Sequence, residues 1–197
     1  MFDATPLLRA FARYRLNALP LDAAASQRAT LAHLLHRARG TMFGRDHAFA
    51  GIADVGAFQR HVPLRSFEDF WSDYWSAVFP NLVDVSWPGH IPYFALTSGT
   101  TTGRSKFIPV SRAMVRSNAK AAIDLYAFHL RASPGSRILS GKSFMLGGST
   151  RLAEEAPGVR SGDLSGIMAA EVPWYARSRY FPPSDLALID DWEEKMA

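Results

Sequence analysis

The ten residues from Thr97 to Lys106, T-S-G-T-T-T-G-R-S-K, concentrate hydroxyl groups, glycines and a lysine in one short stretch. Glycine lets backbone N–H groups approach an anion closely, hydroxyls add rotatable donors, and lysine supplies a mobile positive charge. This is the chemistry of phosphate binding, and its candidate residues are Thr97, Ser98, Gly99, Thr100, Thr101, Thr102, Gly103 and Lys106. A plain Ser/Thr-rich turn is the structural alternative. The flanks favour the phosphate loop: an apolar run, Tyr93, Phe94, Ala95 and Leu96, enters it, and Phe107 and Ile108 leave it before Pro109. Strand, glycine loop, strand is the pattern expected of a loop held at a sheet edge.

Three familiar motifs are excluded by spacing. A Walker loop needs G-x-x-x-x-G-K-[ST], and counting from Gly99 puts Arg104 where the second glycine belongs. A dinucleotide fingerprint G-x-G-x-x-G does not fit Gly99 and Gly103. A nucleophile elbow G-x-S-x-G is absent from the stretch.

Other chemistry-bearing residues carry weaker signals. His33 and His36 lie three apart on a predicted helix, but no third ligand is nearby, so no metal site is assigned. The acid pairs Glu154/Glu155, Asp190/Asp191 and Glu193/Glu194 read as solvated faces. Gly147 to Thr150 is either a second substrate-facing loop or a simple turn. Cysteine is absent, which excludes disulfides and thiolate chemistry. Between residues 98 and 142 the bases Arg104, Lys106, Arg112, Arg116, Lys120, Arg131, Arg137 and Lys142 face a single acid, Asp124. That field could attract a polyphosphate or a nucleic acid, although no nucleic-acid-binding motif accompanies it, and for most of these residues a solvated helix face is the preferred reading.

The elements that must position the loop follow from periodicity. Leu7, Leu8, Phe11, Tyr14 and Leu16 predict an amphipathic helix over 5–19, and Leu31, Leu34, Leu35 and Ala38 another over 22–39, with Gly40 at its end. Residues 41–47 read as a loop and 54–58 as a helical turn. Ser66 and Asp69 resemble a capping box opening a helix to Phe79, whose aromatic face is expected to be core. Residues 80–92 are a connection turning at Trp87, Pro88 and Gly89. Ser111 is the expected N-cap of a long helix to about Leu130, with Arg112, Arg116, Lys120 and Asp124 forming a charged stripe opposite Val115, Ala119, Ala122 and Tyr126. Strands are expected at 137–140 and 143–146, then loops, then a helix over 185–196. At 197 residues the chain is long enough for a substantial core, with a mainly helical region over 1–80 and an α/β region over 81–197. No run of about 18 apolar residues and no signal-peptide pattern occur, so the expected location is cytoplasmic.

The loop resembles the T-S-G-T-T-G-x-P-K signature of adenylate-forming enzymes, with an extra residue between its glycines and no proline before the lysine. In both respects it is similar to the auxin-responsive acyl acid amido synthetases (the Gretchen Hagen three family) and their bacterial relatives. T-M-F-G-R-D-H at 41–47, F-Q-R-H-V-P-L-R-S-F-E-D-F at 58–70, S-G-D-L-S-G-I at 161–167, Pro173 and D-W-E-E-K at 191–195 also resemble that family's N-terminal portion, in order. The resemblance implies an α/β fold: the incomplete N-terminal part of an adenylate-forming domain, a helical N-terminus followed by a mixed sheet with flanking helices. It implies ATP and magnesium, a carboxylic acid substrate that becomes an acyl-adenylate, and an amine or amino acid acceptor. Two later nucleotide-contacting motifs of the family, Y-x-x-S-E-like and Y-R-x-G-D-like, do not occur in the chain. The expectation is therefore a portion inactive alone, prone to self-association through uncovered core surface; the alternative is a non-catalytic nucleotide- or partner-binding module. No nucleic-acid or membrane partner is expected.

Overall fold

The computed structural model describes residues 2–18, 22–97, 105–144, 151–183 and 193. The chain divides into two compact units, one comprising Met1–Leu19, Tyr93–Glu154 and Arg160–Ala197, the other Pro20–Pro92 and Glu155–Val159. The expected helix over 185–196 and the stretch Gly147 to Thr150 lie outside the described residues, apart from Glu193.

In the second unit, helix α2 (Ala23–Ala38) is capped by the Asp22 carboxylate, which accepts from Ala25 N–H, and buries Leu35 and Ala38. His33 and His36 are exposed on it. Residues 41–47, expected as a loop, instead form a short helix, α3 (Met42–Asp46). Its cause is local: the buried Thr41 hydroxyl donates to Ala38 O at 2.7 Å and accepts from Gly44 N at 3.0 Å, so one side chain ends α2 and starts α3. A Cβ on Gly44 would overlap the Ala38 carbonyl, which explains the glycine of T-M-F-G-R. Phe43 then sits amid Phe49, Phe70 and Tyr74, with ring centroids 5.1–5.7 Å away.

A 3-10 turn (Phe49–Gly51) and helix α4 (Val55–His61) lead to α5 (Phe67–Phe70), which has the expected Ser66/Asp69 capping box. The helix expected to Phe79 is not α throughout: Trp71–Trp75 form a π turn, and hydrogen-bonded turns, with Val78 N and Phe79 N both donating to Trp75 O, follow it. Tyr74 and Trp75 are buried as expected, whereas Val78 is exposed. The wider π turn rotates later residues out of the 3.6-residue register on which the longer helix was based. The connection that follows closes at a bridge between Val83 and His90, with Gly89 at φ +83°.

Most of a four-stranded sheet in the order β2-β1-β5-β4 belongs to the first unit. Its strands are β1 (Tyr93–Leu96), β2 (Phe107–Val110), β4 (Ala153–Ala156) and β5 (Val159–Gly162); β3 (Ser143–Phe144) pairs parallel with β6 (Tyr180–Phe181) in a separate two-stranded sheet. β1 is antiparallel to β2 and parallel to β5, so the sheet is mixed. Strand β2 runs through Pro109 to Val110 rather than breaking there, because an edge strand tolerates a residue without an N–H. The hairpin β4–β5 occupies a stretch expected to be loop, since Glu154 and Glu155 do not announce a strand by hydrophobicity.

Helices α1 (Thr5–Asn17), α6 (Arg112–Ala132), α7 (Leu164–Ala170) and α8 (Trp174–Arg177) complete this unit. Tyr93 and Ala95 on one face of β1 join Val110, Val115 of α6 and Ile167 of α7 in a buried cluster, against which Ile108, Leu152 and Met168 pack. Ser111 caps α6 as expected, accepting from Met114 N. The buried face of α6 is Val115, Ala127 and Leu130, while Ala119 and Ala122 are exposed, and Asp124 turns to Arg15 of α1 at 2.7 Å. Similarly α1 buries Thr5 and Ala12 and leaves Leu7, Phe11 and Tyr14 exposed at 66%, 46% and 73%. The expected strand over 137–140 is a turn: Ala4 N donates to Leu139 O at 3.3 Å, and Leu139 N donates to Thr5 Oγ1 at 3.0 Å, so its main chain pairs with the N-terminal segment rather than a sheet.

Candidate functional site

Strand β1 is a continuous apolar run, buried at Tyr93, Phe94 and Ala95, which fits a strand covered on both faces. Its last step delivers Thr97 opposite Lys106. Thr97 N–H donates to Lys106 O at 3.2 Å, and Lys106 N–H donates to Thr97 Oγ1 at 3.3 Å. The threonine therefore closes the loop with both its main chain and its hydroxyl. Both residues are half-buried. Ser98, Gly99, Thr100, Thr101, Thr102 and Gly103 lie outside the described residues; only Thr97 and Lys106 of the predicted set are placed, and they are brought together as the neck from which the loop departs.

The neck stands at the carboxyl end of β1. Because β5 runs parallel, with Ala95 opposite Gly162, the carboxyl ends of both strands lie side by side. Open α/β sheets bind ligands outside the carboxyl ends of their strands. Gly162 belongs to this edge for a packing reason: a Cβ there would stand 2.6 Å from Leu152 Cδ2 and 3.0 Å from Arg151 O. The motif S-G-D-L-S-G-I carries no sequence signal for this role of its first glycine, because the close approach is tertiary.

The following helix does not begin at the neck. Tyr93 is opposite Val110 in the antiparallel register, so α6, capped at Ser111, begins at the other end of β1. A Walker loop runs directly into its helix and uses that N-terminus for the anion. Here strand β2 intervenes between Lys106 and α6.

A polar network anchors the far end of β1. Tyr93 OH donates to Glu171 Oε1 at 2.5 Å and accepts from Arg160 Nη2 at 2.9 Å. The Arg160 guanidinium also lies 5.2 Å from the Tyr93 ring centroid, and Arg112 Nη1 stands 3.6 Å from Glu171 Oε1. Burial, with the hydrogen bond to Glu171 next in weight, pushes the Tyr93 phenol above its ordinary range. A neutral, doubly bonded phenol at the end opposite the neck fixes the strand. Glu171 and Arg160 are 78 and 67 residues from Tyr93, and no local pattern signals such pairs.

A half-buried lysine beside two parallel strand ends suits a phosphate group, and the neck supplies the chain reversal that a glycine loop around one requires. Among the described residues no group of three or more His, Cys, Asp or Glu side chains is gathered as a metal site. Among them, too, no helix is long and apolar enough to cross a membrane.

The mixed sheet with flanking helices is the fold of the acyl acid amido synthetases: the solved structure of GH3.15 acyl acid amido synthetase matches with a TM-score of 0.72 at 19% identity, over 93% of this chain and 32% of that one. A second structure, AtGH3.15 acyl acid amido synthetase in complex with 2,4-DB, matches at 0.64 and 20% identity, over 87% and 29%. The chain belongs to the GH3 family, whose N-terminal domain description matches residues 12–197. "Probable indole-3-acetic acid-amido synthetase GH3.12" of Oryza sativa subsp. japonica is 28% identical over 184 residues, 89% of this chain and 29% of that protein. The chain thus spans about a third of the length of the relatives it matches.

Proposed function

We propose that this chain is the phosphate-binding portion of an ATP-dependent acyl acid amido synthetase. In that reaction a carboxylate attacks the α-phosphorus of ATP to give acyl-adenylate and pyrophosphate, and an amine or amino acid then takes the acyl group as an amide. The observation that carries the reading is the neck, where Thr97 and Lys106 deliver a glycine- and hydroxyl-rich loop at the carboxyl ends of parallel strands. On this reading Ser98, Thr100, Thr101 and Thr102 donate hydroxyls to the β- and γ-phosphates, Gly99 and Gly103 allow close backbone approach, and Lys106 neutralises phosphate charge. Magnesium accompanies the nucleotide as its counter-ion. Family membership and the similarity to named amido synthetases support the reaction class.

Adenine, ribose and acyl groups need further walls, and the chain spans only about a third of its relatives. We therefore propose that it binds ATP without turning it over unaided. The same coverage favours a second reading, a non-catalytic nucleotide-binding module. ATP–pyrophosphate exchange with a panel of aryl and alkyl carboxylic acids separates these functions, because exchange requires adenylation. Acid-dependent exchange by the chain alone would show that it is a complete adenylating unit. Binding of ATP without exchange, with exchange appearing when the chain is extended by the segment that follows it in the longer relatives, is the expected result. No ATP binding at millimolar nucleotide would defeat the phosphate-loop reading.

A further inference from the structure

A recess of about 420 Å³ lies in the first unit, between the start of α1 and the turn that follows α6. It shares no residue with the loop neck. Arg9 and Arg13, one helical turn apart, form one wall, and Arg137 with the Ser136 main chain forms another. Three arginines thus border one small space, and among the described residues that line it Asp3 is the only carboxylate.

That carboxylate is already committed. Asp3 Oδ1 accepts from Thr5 N at 2.9 Å and Oδ2 from Arg137 Nε at 3.0 Å. Arg9 Nη2 donates to Ser136 O at 2.8 Å, which fixes the guanidinium at the wall, while its Nε is out of solvent and has no hydrogen-bond partner among the described residues. None of the ion pairs among the described residues includes Arg9 or Arg13. Two like charges on adjacent turns repel, and an under-solvated guanidinium increases the tension. A bound anion relieves both. The remaining lining, Pro6, Ala10, Pro134 and Gly135, is small and rigid, leaving space for a compact body rather than an extended chain.

We propose that this recess binds a small, multiply charged oxyanion through Arg9, Arg13 and Arg137, at a site separate from the phosphate loop. Guanidinium groups pair equally with phosphoryl and carboxylate oxygens in bidentate geometry, so that shared chemistry defines the ligand class. Inorganic pyrophosphate and citrate represent the two sources.

The test is isothermal titration of the 197-residue chain with each probe, for the wild type and for Arg13→Gln, Arg9→Gln and Lys106→Ala. Arg13 is exposed, so its substitution leaves the fold intact, which an unchanged thermal midpoint verifies. The expected result is binding of at least one probe that weakens about tenfold in Arg13→Gln, weakens also in Arg9→Gln, falls with added salt and survives in Lys106→Ala. Response to pyrophosphate alone assigns a phosphoryl ligand and to citrate alone a carboxylate ligand; response to both supports the shared class. Neither probe binding at millimolar concentration would overturn the site, as would binding indifferent to Arg13→Gln. Binding lost in Lys106→Ala and retained in Arg13→Gln would place the anion at the loop instead, overturning this inference while supporting the proposed function.

Discussion

Replacing Lys106 with alanine separates charge from geometry at the loop neck. Lys106 closes the neck through its main chain, accepting from Thr97 N at 3.2 Å and donating to Thr97 Oγ1 at 3.3 Å, so alanine retains both bonds. What is lost is the ammonium group. A hydrogen bond from a charged donor contributes about 1.5–3 kcal/mol, and about 1.4 kcal/mol is a factor of ten in affinity. Lys106→Ala should therefore weaken ATP binding about tenfold to a hundredfold, more at low ionic strength than at physiological salt. Thr97→Val is the complement: it keeps the lysine but leaves Lys106 N–H without its acceptor, at a cost of about 1 kcal/mol in stability because the neck is half-buried. Calorimetric titration with ATP and adenosine, beside urea unfolding, reads both effects. Lys106→Ala should spare adenosine binding while impairing ATP binding. If its ATP affinity matches the wild type at low salt, or if adenosine loses as much as ATP, the phosphate role of Lys106 is wrong.

Gly44→Ala should destabilise the chain by about 1–3 kcal/mol in urea, because the new methyl overlaps the Ala38 carbonyl, whereas Gly40→Ala, with open space around it, should stay within about 0.5 kcal/mol. Equal effects at the two positions would refute the packing argument. Tyr93→Phe leaves Glu171 and Arg160 without the phenol and should cost about 1–3 kcal/mol. Since the folded phenol titrates above its unfolded value of 10.0, its stabilisation is full below pH 10 and lost as pH rises beyond; the alkaline limb of a stability–pH profile should flatten in Tyr93→Phe. Asp3 has the opposite sign. Its hydrogen bonds from Thr5, with Arg137 adding to them, lower its value from 3.8 to about 2, so its contribution is full above pH 3.8 and lost towards pH 2, a loss that Asp3→Asn should abolish. Finally, the exposed Leu7, Phe11 and Tyr14 of α1 should drive concentration-dependent self-association in sedimentation velocity, reduced in Leu7→Lys/Tyr14→Lys; a monomer at high concentration would show that this stripe is tolerated in water.

The local features legible in the chain are those governed by neighbours in sequence. The Ser66/Asp69 box, the Ser111 cap and the strand–loop–strand around Thr97–Lys106 each depend on contacts within a few residues or on one antiparallel turn, so residue type and spacing specify them. Thr41 and Gly44 are equally local, yet 41–47 reads as loop in the sequence because a five-residue helix has too few apolar positions to show a period. The π turn at Trp71–Trp75 also escaped, since the aromatic spacing before it fits an ordinary helix and only the packed rings show the change in register.

The sequence by itself determined the chemistry of the loop and, by its spacing, which phosphate-binding motifs it is not. Tertiary structure decided where the neck of that loop stands. Residues far apart in the chain pair β1 with β5, bring Glu171 and Arg160 to Tyr93, and set the start of α6 at the end of the strand away from the neck. It also decided which helix faces are covered: Asp124 turns to Arg15, while Leu7, Phe11 and Tyr14 remain exposed. The physical reason is that a side chain's type fixes what it can bond, whereas its surroundings depend on contacts between segments that the chain brings together only on folding.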